Sequence, residues 1–200
     1  NKNLNNLFNS LASKKFTQKL KKITNINGLF LDPKLDGGGL HQIFKGGYLN
    51  VHTDFSSHTN KPNWTRVLNI LIYLNKNWKE SYKGNLELWS KDGRKKISEI
   101  SPKFNRCVVF FTNKNSFHGH PEKLNCPSNV SRKSIAAYYF VKNKKNLKLS
   151  PTNYISRPND NLKTRFLIGF DKNLNSIYSY LKRKNILSDK KITKILNLFY

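Results

Sequence analysis

Between Leu40 and Lys142 the chain is cut into short β-rich runs: HQIF, YLNVHTDF, RVLNILIYL, NLELWS, KKISEI, RCVVFFT, FHGH and RKSIAAYYFV. Polar or turn-forming breaks at KNWKESYKGN, KDGR and SPKFN separate several of them. A succession of short strands with such breaks specifies antiparallel sheets folded into a sandwich or barrel. The expected fold is therefore mainly β with flanking helices.

Ahead of the strands, Leu4, Leu7, Phe8, Leu11, Phe16, Leu20 and Ile23 recur at helical spacing, which predicts one or two amphipathic helices. Gly37, Gly38 and Gly39, then Gly46 and Gly47, interrupt that pattern and mark the change to sheet. At 200 residues the chain suits one domain with extensions. The expected organisation is 1–37 as helical support, 38–145 as the β core and 146–200 as a basic extension with helices. In that extension ISRPNDN reads as a loop. SIYSYLKRKNILSDKKITKILNLFY has helical spacing, with Ser188 and Asp189 as cap candidates. Its apolar residues Ile177, Tyr178, Leu181, Ile192, Ile195, Leu196 and Phe199 are expected to pack beside the barrel, the alternative being a partner or an anionic surface.

Composition leaves the partner open. Lys plus Arg 37 against Asp plus Glu 11 gives a formal charge of +26, the kind of excess that attracts nucleic acid, anionic lipid or an acidic substrate. The excess is mostly Lys mixed with abundant Asn and Ile along the whole length, which codon bias in an AT-rich genome also produces. No run reaches the roughly 20 apolar residues of a membrane span. Cys107 and Cys126 alone make neither a disulfide framework nor a thiolate zinc site, and a reducing, cytoplasmic setting is expected. The chain begins at Asn1 and holds no Met, which leaves its natural start and any cleaved leader open.

In YLNVHTDF, His52 and Asp54 stand at i and i+2 of a strand and leave from one face. An imidazole beside a carboxylate is the start of a metal site, although this spacing alone usually makes a surface hydrogen bond or a turn. SFHGHPEKL adds His118 and His120. Two imidazoles and one carboxylate on one face form the facial set of non-haem Fe(II) oxygenases, which leaves coordination positions open. A core histidine bonded to backbone is the plain alternative for either.

SRKSIAAYYF places Arg132, Ser134, Ala136 and Tyr138 on one strand face. A guanidinium fork flanked by a hydroxyl suits a carboxylate at the floor of a barrel, and hence a dicarboxylic co-substrate. Tyr73, which alternates with Leu71 and Asn69, offers a phenol to the same carboxylate. A solvated strand-end charge is the plain alternative for Arg132.

Taken together, HTD (52–54), RVLNILIYLNKNW (66–78), GNLELW (84–89), SPKFNRCVVFF (101–111), SFHGHP (116–121) and SRKSIAAYYF (131–140) resemble, in order, one oxygenase family. It is the prolyl 4-hydroxylase-like branch of the Fe(II)/2-oxoglutarate dioxygenases, matched over about residues 38 to 142. The resemblance implies a double-stranded β-helix (jelly-roll, cupin-like) core. It implies His52, Asp54 and His118 as iron ligands, with His120 in reserve. Arg132 falls on the residue that binds the distal carboxylate of 2-oxoglutarate, Tyr73 on its phenolic partner, and Leu86 on the wall of that site; Ser134 is a further hydrogen-bond candidate. Asn50, Asn69, His120, Tyr138 and His41 are candidates for supporting the ligands or touching substrate. One departure is Leu49, where the family commonly has Tyr three residues before the first ligand histidine; Tyr48 is expected on the opposite face.

The implied activity is hydroxylation of an unactivated C–H bond with Fe(II), 2-oxoglutarate and O2, with ascorbate as a supporting reductant. The expected substrate is a prolyl residue in a protein or peptide, or a free amino acid or other small molecule. The alternatives are a nucleic-acid demethylase of the same chemistry, disfavoured because no aromatic platform is interleaved with the basic runs, and a non-catalytic jelly-roll binding module. Nothing in the sequence fixes an oligomeric state.

Overall fold

The N-terminal helical stretch divides at Ser13. The computed structural model describes residues 2–58, 60–148 and 151–184, and in it α1 (Lys2–Ala12) gives way to α2 (Lys14–Thr24). The break occurs because the Ser13 hydroxyl accepts a hydrogen bond from the Phe16 amide at 3.2 Å and so caps α2. Leu11 and Leu20 are the buried residues of these helices, and they pack on Leu68, Ile70, Ala137 and Tyr139. The Tyr139 hydroxyl donates to the Leu11 carbonyl at 2.8 Å, which ties the helices to the sheet beneath.

The strands are β1 (Phe30–Leu31), β2 (Gly39–Ile43), β3 (Leu49–Thr53), β4 (Trp64–Tyr73), β5 (Leu86–Trp89), β6 (Lys96–Ile100), β7 (Cys107–Phe111), β8 (His118–His120), β9 (Arg132–Lys142) and β10 (Asn153–Tyr154). One sheet runs β1-β9-β4-β7, with β2 also on β9; the other runs β10-β3-β8-β5-β6. The pairings within both sheets are antiparallel. This is the jelly roll that the strand pattern and the resemblance lead one to expect. The runs read in the sequence become β2 to β9, whereas β1 and β10 have two residues each and are too short to show a period.

Side-chain alternation separates two environments. Leu68 and Ile70 of β4 face the helices, while Tyr73 joins Leu86 and Val108 in a cluster with Leu71 and Phe110. Two irregularities break the alternation where the site lies: the β4–β9 register shifts between Arg66 and Leu68, and the β3–β8 register shifts between Leu49 and His52. Between β3 and β4 the chain is held by His58. Its Nδ1 accepts from the amides of Asn60 and Lys61 at 3.1 and 3.2 Å, and its Nε2 lies 3.4 Å from Asp32.

The extension after 145 contributes to the core as well as following it, because β10 pairs with β3. α3 (Leu162–Arg183) starts ahead of the expected helical stretch and contacts β10. Ile168 of α3 is buried, but Phe166, Phe170 and Ile177 are exposed. The expected burial of Ile177 against the barrel therefore does not hold. Ser188, Asp189, Ile192, Ile195, Leu196 and Phe199 lie outside the described residues.

Candidate metal centre

His52 and Asp54 leave β3 and its continuation on one side, and β8 brings His118 opposite His52 in register. His52 Nε2 is 3.6 Å from Asp54 Oδ1, and His118 Nε2 is 3.3 Å from Asp54 Oδ2. One ligand atom from each of the three residues lies within 4.8 Å of the others. Both rings are oriented by main chain, with Nδ1 of His52 2.8 Å from the Asn50 carbonyl and Nδ1 of His118 3.0 Å from that of Ser116. A carbonyl only accepts, so each Nδ1 carries the proton and each neutral Nε2 presents a lone pair. Lone pairs converging on a carboxylate repel it unless a cation lies between, so the donor set fits a metal ion.

Asp54 is held from behind. Arg66 Nη2 donates to Oδ2 at 2.9 Å and Asn69 Nδ2 to the same oxygen at 2.7 Å, while Arg66 Nε donates to Asn69 Oδ1 at 2.8 Å. The Arg66 guanidinium lies 3.3 Å from the centroid of the Tyr138 ring and 4.6 Å from that of Phe55. Burial opposes ionisation of Asp54, yet the Arg66 guanidinium, the largest of the opposing influences, helps hold the carboxyl well below its usual range. Burial and the neighbouring His118 push His52 down, towards the neutral form that binds metal.

The three residues open on a cavity of about 100 Å³ whose wall includes His41, Leu49, Asn69, Leu86, His120, Arg132, Ser134 and Tyr138. A larger groove of about 790 Å³ runs outside between Lys83 and Arg157, but none of the three ligand residues lines it. Convergent donors, rather than size, mark the smaller space as the candidate site. At its inner end Arg132 is buried; its Nε donates to the Gly84 carbonyl at 2.7 Å and its Nη2 to the Tyr73 hydroxyl at 3.3 Å. Gly84 lets the guanidinium lie this low, because a Cβ there would run into Leu124 and stand 3.1 Å from Arg132 Cδ. Burial lowers the pKa of Arg132, and the Tyr73 phenol opposes that shift.

The sequence candidates thus gather in one place. His41 lies opposite Ser134 in the β2–β9 register. Asn50 acts through its carbonyl, and Tyr138 lies against Arg66 rather than Arg132. Tyr48 is exposed, as expected from its position beside the cavity-lining Leu49. His120 is buried, and neither of its ring nitrogens has a hydrogen-bond partner among the described residues. Burial first, then Arg132 and His52, push its pKa down to about 3. Two residues escaped the sequence reading. Arg66 is hidden by the irregularity in β4, and Tyr154 of β10 places its ring, tilted, 5.3 Å from the His52 ring from a strand too short to recognise.

The profile of the 2OG-Fe(II) oxygenase superfamily matches residues 38–140, the stretch that carries every residue of this cavity. This chain belongs to that superfamily. Among curated relatives, Egl nine homolog 1 of Rattus norvegicus, Mus musculus and Homo sapiens is in each case 27% identical over 89 residues, 44% of this chain. Those 89 residues are 25%, 21% and 20% of the respective relatives, so the oxygenase chain spans a minor part of their length. Among solved structures it is similar to a prolyl hydroxylase from Trichoplax adhaerens in complex with a hypoxia inducible factor oxygen degradation domain peptide fragment. That match has a TM-score of 0.39 and 23% identity, and covers 50% of this chain and 41% of the other. A Pseudomonas putida prolyl-4-hydroxylase matches with TM-score 0.41 and 13% identity over 66% and 62% of the two chains. A prolyl 4-hydroxylase from Phytophthora capsici matches with 0.47 and 20% over 88% and 52%. Superfamily membership agrees with the expected cofactors, Fe(II) and 2-oxoglutarate.

Proposed function

We propose that this chain hydroxylates an unactivated C–H bond with Fe(II), 2-oxoglutarate and O2, and that its substrate is a prolyl residue in a protein or peptide, with a free amino acid as the second choice. The observation that carries the reading is the convergence of two backbone-oriented Nε2 atoms and the Asp54 carboxylate on one point of a cavity that ends at Arg132. In this reading His52, Asp54 and His118 hold Fe(II), and Arg66 and Asn69 fix the Asp54 carboxylate so that it keeps one orientation. Arg132, with Tyr73 and Ser134, takes the distal carboxylate of 2-oxoglutarate, and Leu86 keeps water off its methylenes. The bound iron supplies the oxidant from O2, with 2-oxoglutarate leaving as succinate and CO2. The chain itself orients, excludes water and supplies fixed charge.

The prolyl assignment draws on the ordered resemblance of residues 38 to 142 to the prolyl 4-hydroxylase-like branch of the family. Cys107 and Cys126 are unpaired, which supports a cytoplasmic setting. No helix among the described residues is long and apolar enough to cross a membrane. The test is succinate release by the Fe(II)-loaded protein across a panel of proline-containing peptides and free amino acids, with mass spectrometry of each. The expected result is succinate release coupled to the gain of one oxygen atom on proline. Oxidation of the amino acids alone moves the substrate to small molecules, and no turnover of 2-oxoglutarate under any condition rejects the enzyme reading.

A further inference from the structure

We propose that His120 is a further co-substrate residue, an imidazole N–H donor that shares the distal carboxylate of 2-oxoglutarate with Arg132. The inference rests on the co-substrate reading above and goes beyond it in assigning a role to a histidine that the metal does not use. His120 follows His118 by two residues on β8, so the two rings leave from the same face into one cavity. His118 pairs with His52 at the metal end, and His120 pairs with Leu49, an aliphatic residue, one step further along. On the other side of β8, Leu88 pairs with His118 and Glu87 with Gly119. Continuing down β5 leads past Leu86 to Gly84, whose carbonyl holds Arg132. His120 therefore stands between the metal ligands and the guanidinium.

Its chemistry asks for a partner. The residue is 3% exposed, and both ring nitrogens lack a hydrogen-bond partner among the described residues. A buried unsatisfied donor is costly and rare in a native fold. An imidazole carries at least one N–H in any protonation state, so a donor is always present. Leu49 and Leu86 flank it on the apolar side and Arg132 lines the same cavity; no polar side chain of that wall bonds the ring, so an anion bound at Arg132 would supply the acceptor.

The experiment measures binding of 2-oxoglutarate to the Fe(II)-loaded protein by anaerobic calorimetry, beside 2-oxovalerate, which keeps the 2-oxo acid and lacks the distal carboxylate. His120→Leu is expected to weaken 2-oxoglutarate roughly tenfold or more, as loss of a charge-assisted hydrogen bond does, while Fe(II) affinity and the affinity for 2-oxovalerate stay at their wild-type values. The ligand-free variant is expected to melt at or above the wild-type temperature, because an orphaned polar group has been replaced by an apolar one; a purely structural histidine would lower it. In wild-type protein loaded with diamagnetic Zn(II), the imidazole nitrogen NMR signals of His120 should move with 2-oxoglutarate and not with 2-oxovalerate. This second measurement stands even where the variant does not fold. Unchanged 2-oxoglutarate affinity in the variant, equal losses for the two acids, loss of Fe(II), or unmoved NMR signals would each overturn the proposal. If wild type itself fails to bind 2-oxoglutarate, the proposed function fails; if it binds and only the His120 results disagree, this inference alone fails.

Discussion

Arg66 serves packing and electrostatics at once. Its guanidinium lies between Phe55 and Tyr138, donates to Asp54 and Asn69, and is 1% exposed. Arg66→Ala would remove the charge that holds Asp54 ionised and leave a void between two rings. The expected loss is about 3 to 5 kcal/mol of stability, read as a fall in the urea midpoint. Arg66→Lys keeps charge but not the fork, so it is expected to fold better and still to weaken Fe(II) roughly tenfold, as changes behind a metal ligand do; a Lys variant with wild-type iron affinity would reject the orienting role. Arg132→Ala is expected to remove about 2 to 5 kcal/mol of 2-oxoglutarate binding, because a buried carboxylate loses its fixed cation. Calorimetry on the Fe(II)-loaded variant checks this, and an unchanged affinity would redirect attention to Lys133 or Arg106.

The spacing of whole strands sets the ligand geometry. Gly119 lies between the two cavity-facing histidines of β8, and a Cβ there would meet the Leu49 and Asn50 carbonyls at 2.8 and 2.9 Å. The Asn50 carbonyl is the one that orients His52, so pushing β8 off β3 tilts that imidazole as well as opening the sheet. Gly119→Ala is expected to lower stability by roughly 1 to 3 kcal/mol and to weaken iron binding, with thermal melts and metal titration as the checks. β10 supports His52 from the other side, since Tyr154 pairs with it and sets its ring, tilted, against the imidazole. Ending the chain after residue 148 would expose the β3 edge and that ring. The shortened protein should aggregate more readily and bind iron more weakly; wild-type behaviour in both would show that β10 is dispensable.

At the scale of the whole molecule the charge of +26 has to be set against the site. Among the described residues, the cavity beside His52, Asp54 and His118 is small, and the basic α3 contacts β10. If the Lys excess is compositional, oligonucleotide binding should be weak, indifferent to sequence and lost steeply with salt, as counterion release dictates. Added single-stranded oligonucleotide should then leave succinate release unchanged at physiological salt. Stimulation at that salt, with the oligonucleotide recovered hydroxylated or demethylated, would move the substrate to nucleic acid.

Local pattern determined much of this protein. Alternation in SRKSIAAYYF put Arg132, Ser134 and Tyr138 on one face, and the i, i+2 spacing put His52 beside Asp54, because strand periodicity is a property of the backbone alone. The strand runs were legible for the same reason. Tertiary structure decided what depends on departures from that periodicity or on distant chain. Strict alternation along β4 sets Arg66 opposite Asn69, Leu71 and Tyr73, yet the shifted register between Arg66 and Leu68 turns its guanidinium inward beside Asn69. Leu49 and His52, three apart, share the cavity for the same reason. The resemblance preferred His118 to His120 beside Asp54; what the tertiary structure adds is the pairing of β8 with β3, since both histidines line the cavity and cross-strand register brings His118 to 3.3 Å from the carboxylate.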